Sequence, residues 1–285
     1  MMKKILLTVL FIFAAWSAPA WAADKGNIDI ADSGTITQSI VNAALIGVSA
    51  SDAYTVTFSG GPTAIGDYAF HGCAGLVGVA IPGSVTTIDF RAFNGCTNLT
   101  TLDLSNASKL ETIGNNAFDG CAGLTGVAIP GSVTAIGDYV FYNCTGLDTL
   151  DLSNASSLET IGNEAFYGCA SLTGVTITGN VTTIGVGAFN GCASLDTLTF
   201  LGDSPPSFGD SVFIRVPGPV TVYVPAGKEG SYAGLLSLLP ADSMIVDPAP
   251  AITGPEDMTL TVGYAAASTG AYTVKGAPPP TTKQR

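Results

Sequence analysis

Six cysteines, one histidine and a pair of equivalent aspartates are the residues of this chain best suited to chemistry. The cysteines are Cys73, Cys96, Cys121, Cys144, Cys169 and Cys192, at spacings of 23, 25, 23, 25 and 23. A zinc knuckle needs ligands a few residues apart, usually with histidine among them, and this spacing supplies neither. Two other readings fit. If each interval is one coil of a stacked structure, equivalent Cα atoms lie about 5 Å apart, within disulfide reach. Alternatively the thiols form a ladder of small buried hydrophobes. The ladder is favoured, because each cysteine recurs together with residues that belong in a core.

His71 is the single histidine. The matching positions are Asn94, Asp119, Tyr142, Tyr167 and Asn190, a variation typical of a solvated site. A Ser/His triad would have to use His71, and no nucleophile elbow accompanies it. No segment reads as a phosphate loop. Asp103 and Asp151 occupy equivalent strand positions two coils apart, about 10 Å at ordinary strand spacing. That is slightly wider than the roughly 6.5–9.5 Å between the carboxylates of inverting glycosidases, and solvation of a strand explains both residues. The expectation is a protein that is not an enzyme and that holds neither cofactor nor metal.

The elements that position these residues follow from a repeated frame. Around each cysteine the order is Ile, three variable or small residues, a small apolar residue, Phe, two residues, Cys, two residues, Leu. The isoleucines are Ile65, Ile88, Ile113, Ile136, Ile161 and Ile184, and the phenylalanines Phe70, Phe93, Phe118, Phe141, Phe166 and Phe189. The leucines run from Leu76 through Leu99, Leu124, Leu147 and Leu172 to Leu195. After each leucine comes an apolar pair two apart, such as Leu102/Leu104 or Val175/Ile177. That spacing reads as a short strand with one buried face. One such unit cannot bury its own apolar side, whereas stacked units share a continuous core. Two positions after Phe stand Gly72, Gly95, Gly120, Asn143, Gly168 and Gly191. Gly with Asn as its one substitute predicts a left-handed turn residue. Gly66, Gly114, Gly137, Gly162 and Gly185, with Asp89 as the exception, suggest a second turn or left-handed site.

Two subtypes alternate, one carrying Ile-Pro-Gly-Ser-Val-Thr (from Ile81 and Ile129) and a longer one carrying Asp-Leu-Ser-Asn-Ala-Ser (from Asp103 and Asp151). The Ile-Gly-x-x-Ala-Phe-x-Gly-Cys-x-x-Leu unit resembles the bacterial surface leucine-rich-repeat family of the BspA type, known also as treponemal-like repeats. The likeness spans about residues 62–247. Val220–Gly227 followed by Tyr232 is similar to that family's closing strand and short helix, and Phe208 and Phe213 look like a degenerate repeat before it. The resemblance implies a leucine-rich-repeat solenoid with one short parallel strand per 23–25-residue coil and turns or short helical turns opposite. It implies core ladders of Ile, Phe and Leu, and no catalytic residue.

The ends set the context. Lys3 and Lys4, the apolar Ile5–Ala15 and the small Ala20 and Ala22 make a three-part export signal, with cleavage after Ala22. The apolar stretch is too short for a span of roughly 20 residues, and no later stretch supplies an integral membrane span. Removal of the two lysines takes the formal charge from −12 to −14. A chain this acidic repels phosphate backbones and anionic lipid heads, so nucleic acid is not an expected partner. The expected organisation is a signal peptide (1–22), an N-terminal cap (23–61), six repeats (62–200), a degenerate repeat and C-terminal cap (201–247), and a linker with an incomplete segment (248–285). In the cap, a short helix within 36–48 and a strand over 54–58 are expected. The last segment, with Met258–Val262 and Tyr272–Val274, resembles the first strands of a bacterial immunoglobulin-like module. It falls short of the roughly 100 residues of a complete sandwich, so a chain that continues beyond Arg285, or a spacer, is expected.

These readings predict a secreted, cell-surface or periplasmic module that binds an extracellular protein or glycan through a repeated surface. One candidate surface is the outward strand face, including Asp103, Asp151, Thr176 and Thr199. The other is the turn side, where Tyr68, Tyr139, Tyr142 and Tyr167 offer the repeated aromatics. The alternative is a structural spacer without a ligand of its own.

Overall fold

A computed structural model describes residues 24–247 and 263–264. The export signal and nearly all of the immunoglobulin-like segment lie outside the described residues. The chain winds into a right-through stack of coils with two parallel sheets. The larger sheet runs in chain order through Asp24–Asp29, Ala53–Thr57, Leu76–Ala80, Thr101–Asp103, Gly126–Ala128, Thr149–Asp151, Gly174–Ile177, Thr197–Phe200, Thr221–Tyr223 and Met244–Asp247. Gly263–Tyr264 then pairs antiparallel with its last strand.

Each coil also lays down a second, two-residue strand. These run from Thr35–Ile36 through Ala64–Ile65 and on to Ser207–Phe208, and form a parallel sheet of eight strands. They carry the isoleucine of the frame in register, Ile113 beside Ile136 and Ile136 beside Ile161. The repeat frame by itself predicts one strand per coil. A two-residue strand is too short to show a period, so the second ladder is visible only once the coils are stacked.

The core lies between the sheets. The frame isoleucines, phenylalanines and leucines are all buried. Seven phenylalanine rings, Phe70 to Phe213, stack nearly parallel with centroids 4.9 to 5.9 Å apart. The six cysteines are free thiols, five of them buried and Cys73 half-buried. Each of the five donates a hydrogen bond to the carbonyl of the phenylalanine one coil earlier, from Cys96 Sγ to Phe70 O (3.1 Å) through to Cys192 Sγ to Phe166 O (3.3 Å). Each of these carbonyls also accepts from the cysteine N–H of its own coil, Cys73 N to Phe70 O at 3.1 Å for one, so the thiol adds a second bond that ties adjacent coils together.

The expected left-handed residues are left-handed: Gly72, Gly95, Gly120, Gly168 and Gly191 have φ of +70 to +77°, and Asn143 has +54°. The second glycine set does open a turn, Ala69 N donating to Gly66 O and Ala117 N to Gly114 O, but the left-handed alternative does not hold. Gly66, Gly114, Gly137, Gly162 and Gly185 are not left-handed. They are glycine because the coils touch there: a Cβ on Gly162 would lie 2.5 Å from the carbonyl carbon of Gly137. Positive φ falls instead two residues later, on Tyr68, Arg91, Asn116, Tyr139, Glu164 and Gly187.

The ends vary the theme. A helix, Gln38–Ala44, replaces the Ala-Phe turn in the first coil, capped by Thr37 Oγ1 accepting from Ile40 N and anchored by buried Val41 and Ala44. The strand Ala53–Thr57 follows it. Strand Asp24–Asp29 precedes both and is an element that the sequence reading leaves out, although buried Ile28 and Ile30 form a two-apart pair at its end. At the other end Phe213 extends the ring stack, and buried Tyr232, at the close of the short helix Glu229–Tyr232, donates to Gly202 O at 2.8 Å.

Candidate functional surface

Stacking converts each position of the frame into a column of side chains, so a candidate surface is a set of columns. On the outer face of the larger sheet, Thr176 pairs in register with Thr199, and Thr199 with Tyr223. Asp151 stands beside Ala128, and Asp103 beside Ala80. Both aspartates have a structural task. Asp103 Oδ1 accepts from Ser105 N at 2.9 Å and Asp151 Oδ1 from Ser153 N at 2.8 Å, closing the turn after each strand. Hydrogen bonds from the Ser153 side chain and N–H hold the Asp151 carboxyl below the usual carboxylate range. The flanking hydroxyls also look inward: Thr100 Oγ1 donates to Val77 O at 2.9 Å, and Thr125 Oγ1 to Thr100 O at 3.5 Å. This face is polar but largely committed to its own backbone.

The turn edge is built differently. Its columns follow from the turn around Phe, whose backbone is itself laddered to the next coil: Tyr68 N to Phe90 O, Phe70 N to Ala92 O and Gly72 N to Asn94 O, at 2.7 to 3.0 Å. A third column locks the edge further. Asn115 Oδ1 accepts from Asp138 N, Asp138 Oδ1 from Asn163 N, and Asn163 Oδ1 from Val186 N, at 2.7 to 2.9 Å. Side chains on this edge therefore project from a fixed backbone.

The expected tyrosines divide into two groups there. Tyr68 meets His71 edge-on at 5.6 Å and Phe90 at 5.4 Å, and the Arg91 guanidinium lies over the Phe90 ring at 5.0 Å. Two coils further on, Tyr142 stacks on Tyr167 at 4.8 Å with 11° between the planes, and Tyr139 packs against Tyr142 at 5.7 Å. Arg215 Nη1 donates to the Tyr167 hydroxyl at 2.7 Å. Phe90 and Tyr139 are exposed, whereas Tyr68, Tyr142 and Tyr167 are half-buried. Between the groups the coil of Asn116 and Asp119 carries no ring. Asn116 Nδ2 donates to Asp119 Oδ2 at 3.3 Å, and Asn94 Nδ2 to the Asp119 carbonyl at 3.1 Å. Partial burial raises the Asp119 carboxyl, offset by the Asn116 hydrogen bond and by the charge of Arg91. Desolvation, then the neighbouring Tyr167, Glu164 and Asp119, push the Tyr142 phenol up.

Phe90, Arg91, Asn116, Asp119 and Arg215 were not singled out in the sequence. Alignment of the frames could have found them, since Phe90 precedes the Tyr68 column and Asp119 stands in the His71 column. His71 sits exposed against the Tyr68 ring. Among the described residues no group of three or more His, Cys, Asp and Glu could hold a metal ion, and no helix is long and apolar enough to cross a membrane.

Residues 49–151 and 104–217 match the BspA type leucine rich repeat region, in six copies. The chain belongs to this family. Among solved structures, the chain is similar to the T. pallidum leucine rich repeat protein, with 32% identity over 65% of this chain and 82% of that one and a TM-score of 0.52. It also shares the fold of a leucine rich cell surface protein from Faecalibacterium prausnitzii, with 23% identity, 77% of this chain and 62% of that one covered, and a TM-score of 0.51. No curated protein sequence matches it.

Proposed function

We propose that this BspA-type solenoid is an exported binding module, displayed outside the cytoplasm, whose contact surface is the turn edge. The observation that carries the reading is the contrast between its two repeated surfaces. The sheet face spends Asp103, Asp151 and several flanking hydroxyls on its own backbone, while the turn edge carries exposed Phe90, Tyr139 and Arg215 beside half-buried Tyr68, Arg91, Tyr142 and Tyr167. Tyrosine, tryptophan and arginine dominate binding energy at interfaces, and this edge is where the chain concentrates tyrosine beside arginine. The reading extends to localisation through the signal-like segment from Lys3 to Ala22, with an extracellular protein or glycan as partner.

The test uses the mature chain, expected to begin at Ala23, on an array of matrix proteins and glycans. The triple variant Tyr139→Asn/Tyr142→Asn/Tyr167→Asn should lose whatever the parent protein binds. Asparagine already occupies the matching positions Asn116, Asn94 and Asn190, so the coils should still stack. Thr176→Ser/Thr199→Ser on the sheet face should leave binding intact. A parent protein that binds nothing on the array would favour the spacer.

A further inference from the structure

The break between the two aromatic groups has the shape of a site. Stacking on Tyr167 covers one face of the Tyr142 ring. The opposite face looks toward the preceding coil, where the column continues with Asp119 and then Asn94 instead of rings. With coils about 4.8 Å apart, the interval from the Tyr142 coil to the Arg91 coil is about 10 Å, enough for one flat ring between them. One wall is the free face of Tyr142, the floor is the Asp119 carboxylate with the Asn116 amide bonded to it, and the Arg91 guanidinium, packed over Phe90, acts on that carboxylate through its charge. Arg91 is half-buried and its Nε is enclosed without a hydrogen-bond partner among the described residues, so only the Nη end of its guanidinium can meet a ligand.

We infer that this gap binds one residue of a neutral glycan, its C–H face against Tyr142 and its hydroxyls on Asp119, Asn116 and Arg91. This rests on the turn-edge reading above and names the ligand class. A pyranose ring is flat, apolar on its C–H face and rich in hydroxyls at its rim, which matches one aromatic wall with acceptors and donors around it. A protein side chain would want an apolar pocket, and the floor here is polar. Anionic polymers are disfavoured by the formal charge of −12 and by a carboxylate at the floor. The ring stack on one side and the rings of Tyr68 and Phe90 on the other give neighbouring sugars of the same chain further surface, so a longer oligosaccharide should bind better than a monosaccharide.

The experiment titrates the mature chain with hexasaccharides of glucose, mannose and N-acetylglucosamine, and with heparin as an anionic probe. Both tryptophans, Trp16 and Trp21, precede Ala23, so the emission comes from the nine tyrosines, and the difference from Tyr142→Asn isolates the part that belongs to the site. At least one neutral hexasaccharide should bind and change that fluorescence, and heparin should not. Tyr142→Asn should weaken binding about tenfold, the size expected of one aromatic anchor. Asp119→Tyr is the sharper variant. It imports the residue that Tyr142 and Tyr167 already carry in this column, extends the ring stack and fills the gap, so neutral glycan binding should vanish. Asp119→Asn, which keeps the shape, should weaken binding several-fold and covers the case in which Asp119→Tyr fails to fold. Absence of binding to every neutral hexasaccharide, or binding that survives a folded Asp119→Tyr, would overturn the glycan site. Loss of a matrix-protein contact in the triple tyrosine variant, with no glycan bound, would overturn the glycan site while upholding the turn-edge surface.

Discussion

Phe141 and Tyr142 are neighbours in the chain, and each stacks on a ring of the next coil, at 5.3 and 4.8 Å. Phe141 belongs to an unbroken column of seven rings, all buried. Tyr142 belongs to a column that reads His71, Asn94, Asp119, Tyr142, Tyr167, Asn190 and Ile214. The same contact geometry thus serves two purposes. Inside, a missing ring leaves a void that neighbouring coils cannot fill, so every coil must supply one. Outside, a missing ring leaves a place that water fills at little cost, so the column is free to vary and its breaks can acquire a use.

This contrast can be broken at the core first. Phe141→Ala should cost about 3–5 kcal/mol, the range for deleting a buried aromatic ring. Denaturant melts would show it, and a loss as small as that of a surface variant would mean that the inward and outward columns are misassigned. Next in size is the close approach of the coils. Gly162→Ala places a methyl 2.5 Å from the Gly137 backbone and should cost about 1–3 kcal/mol through overpacking. Gly72 has no atom near its missing Cβ, so Gly72→Ala should lose only about 1–2 kcal/mol, the penalty for a left-handed backbone. If the two variants melted alike at the Gly72 value, close packing would not be the reason for glycine at residue 162. On the edge, His71→Ala should change stability by under about 0.5 kcal/mol, as ordinary surface substitutions do.

The gentlest test changes no residue. Burial pushes the Cys73 thiol up to about 11 and the Cys192 thiol up to about 12, so both are protonated at neutral pH and react poorly as nucleophiles. The folded mature protein should therefore label slowly, Cys73 first because it alone is half-buried, and faster as pH rises toward those values. After unfolding without reductant, six thiols should titrate. A count of zero or two would mean that adjacent coils are joined by disulfides.

The period of the frame was enough to establish a stacked solenoid, its Ile, Phe and Leu columns and the left-handed glycine of the Phe turn. Burial and backbone sign repeat with every coil, and six copies let each position be compared with itself. The Gln38–Ala44 helix and the Ala53–Thr57 strand were legible for a similar reason, since each carries its own local pattern. What one coil does to the next was not legible. The two-residue strands of the second sheet, the backbone contact that demands Gly162 and the thiol bonds to phenylalanine carbonyls all depend on where atoms settle after stacking. The candidate surface divides in the same way. The sequence places four tyrosines on the turn side, but only the stacked structure separates Tyr68 from the others and puts Asn116 and Asp119 in the gap. A column is written in the chain, whereas the distance between two columns or across a break is set by the register and spacing of the coils.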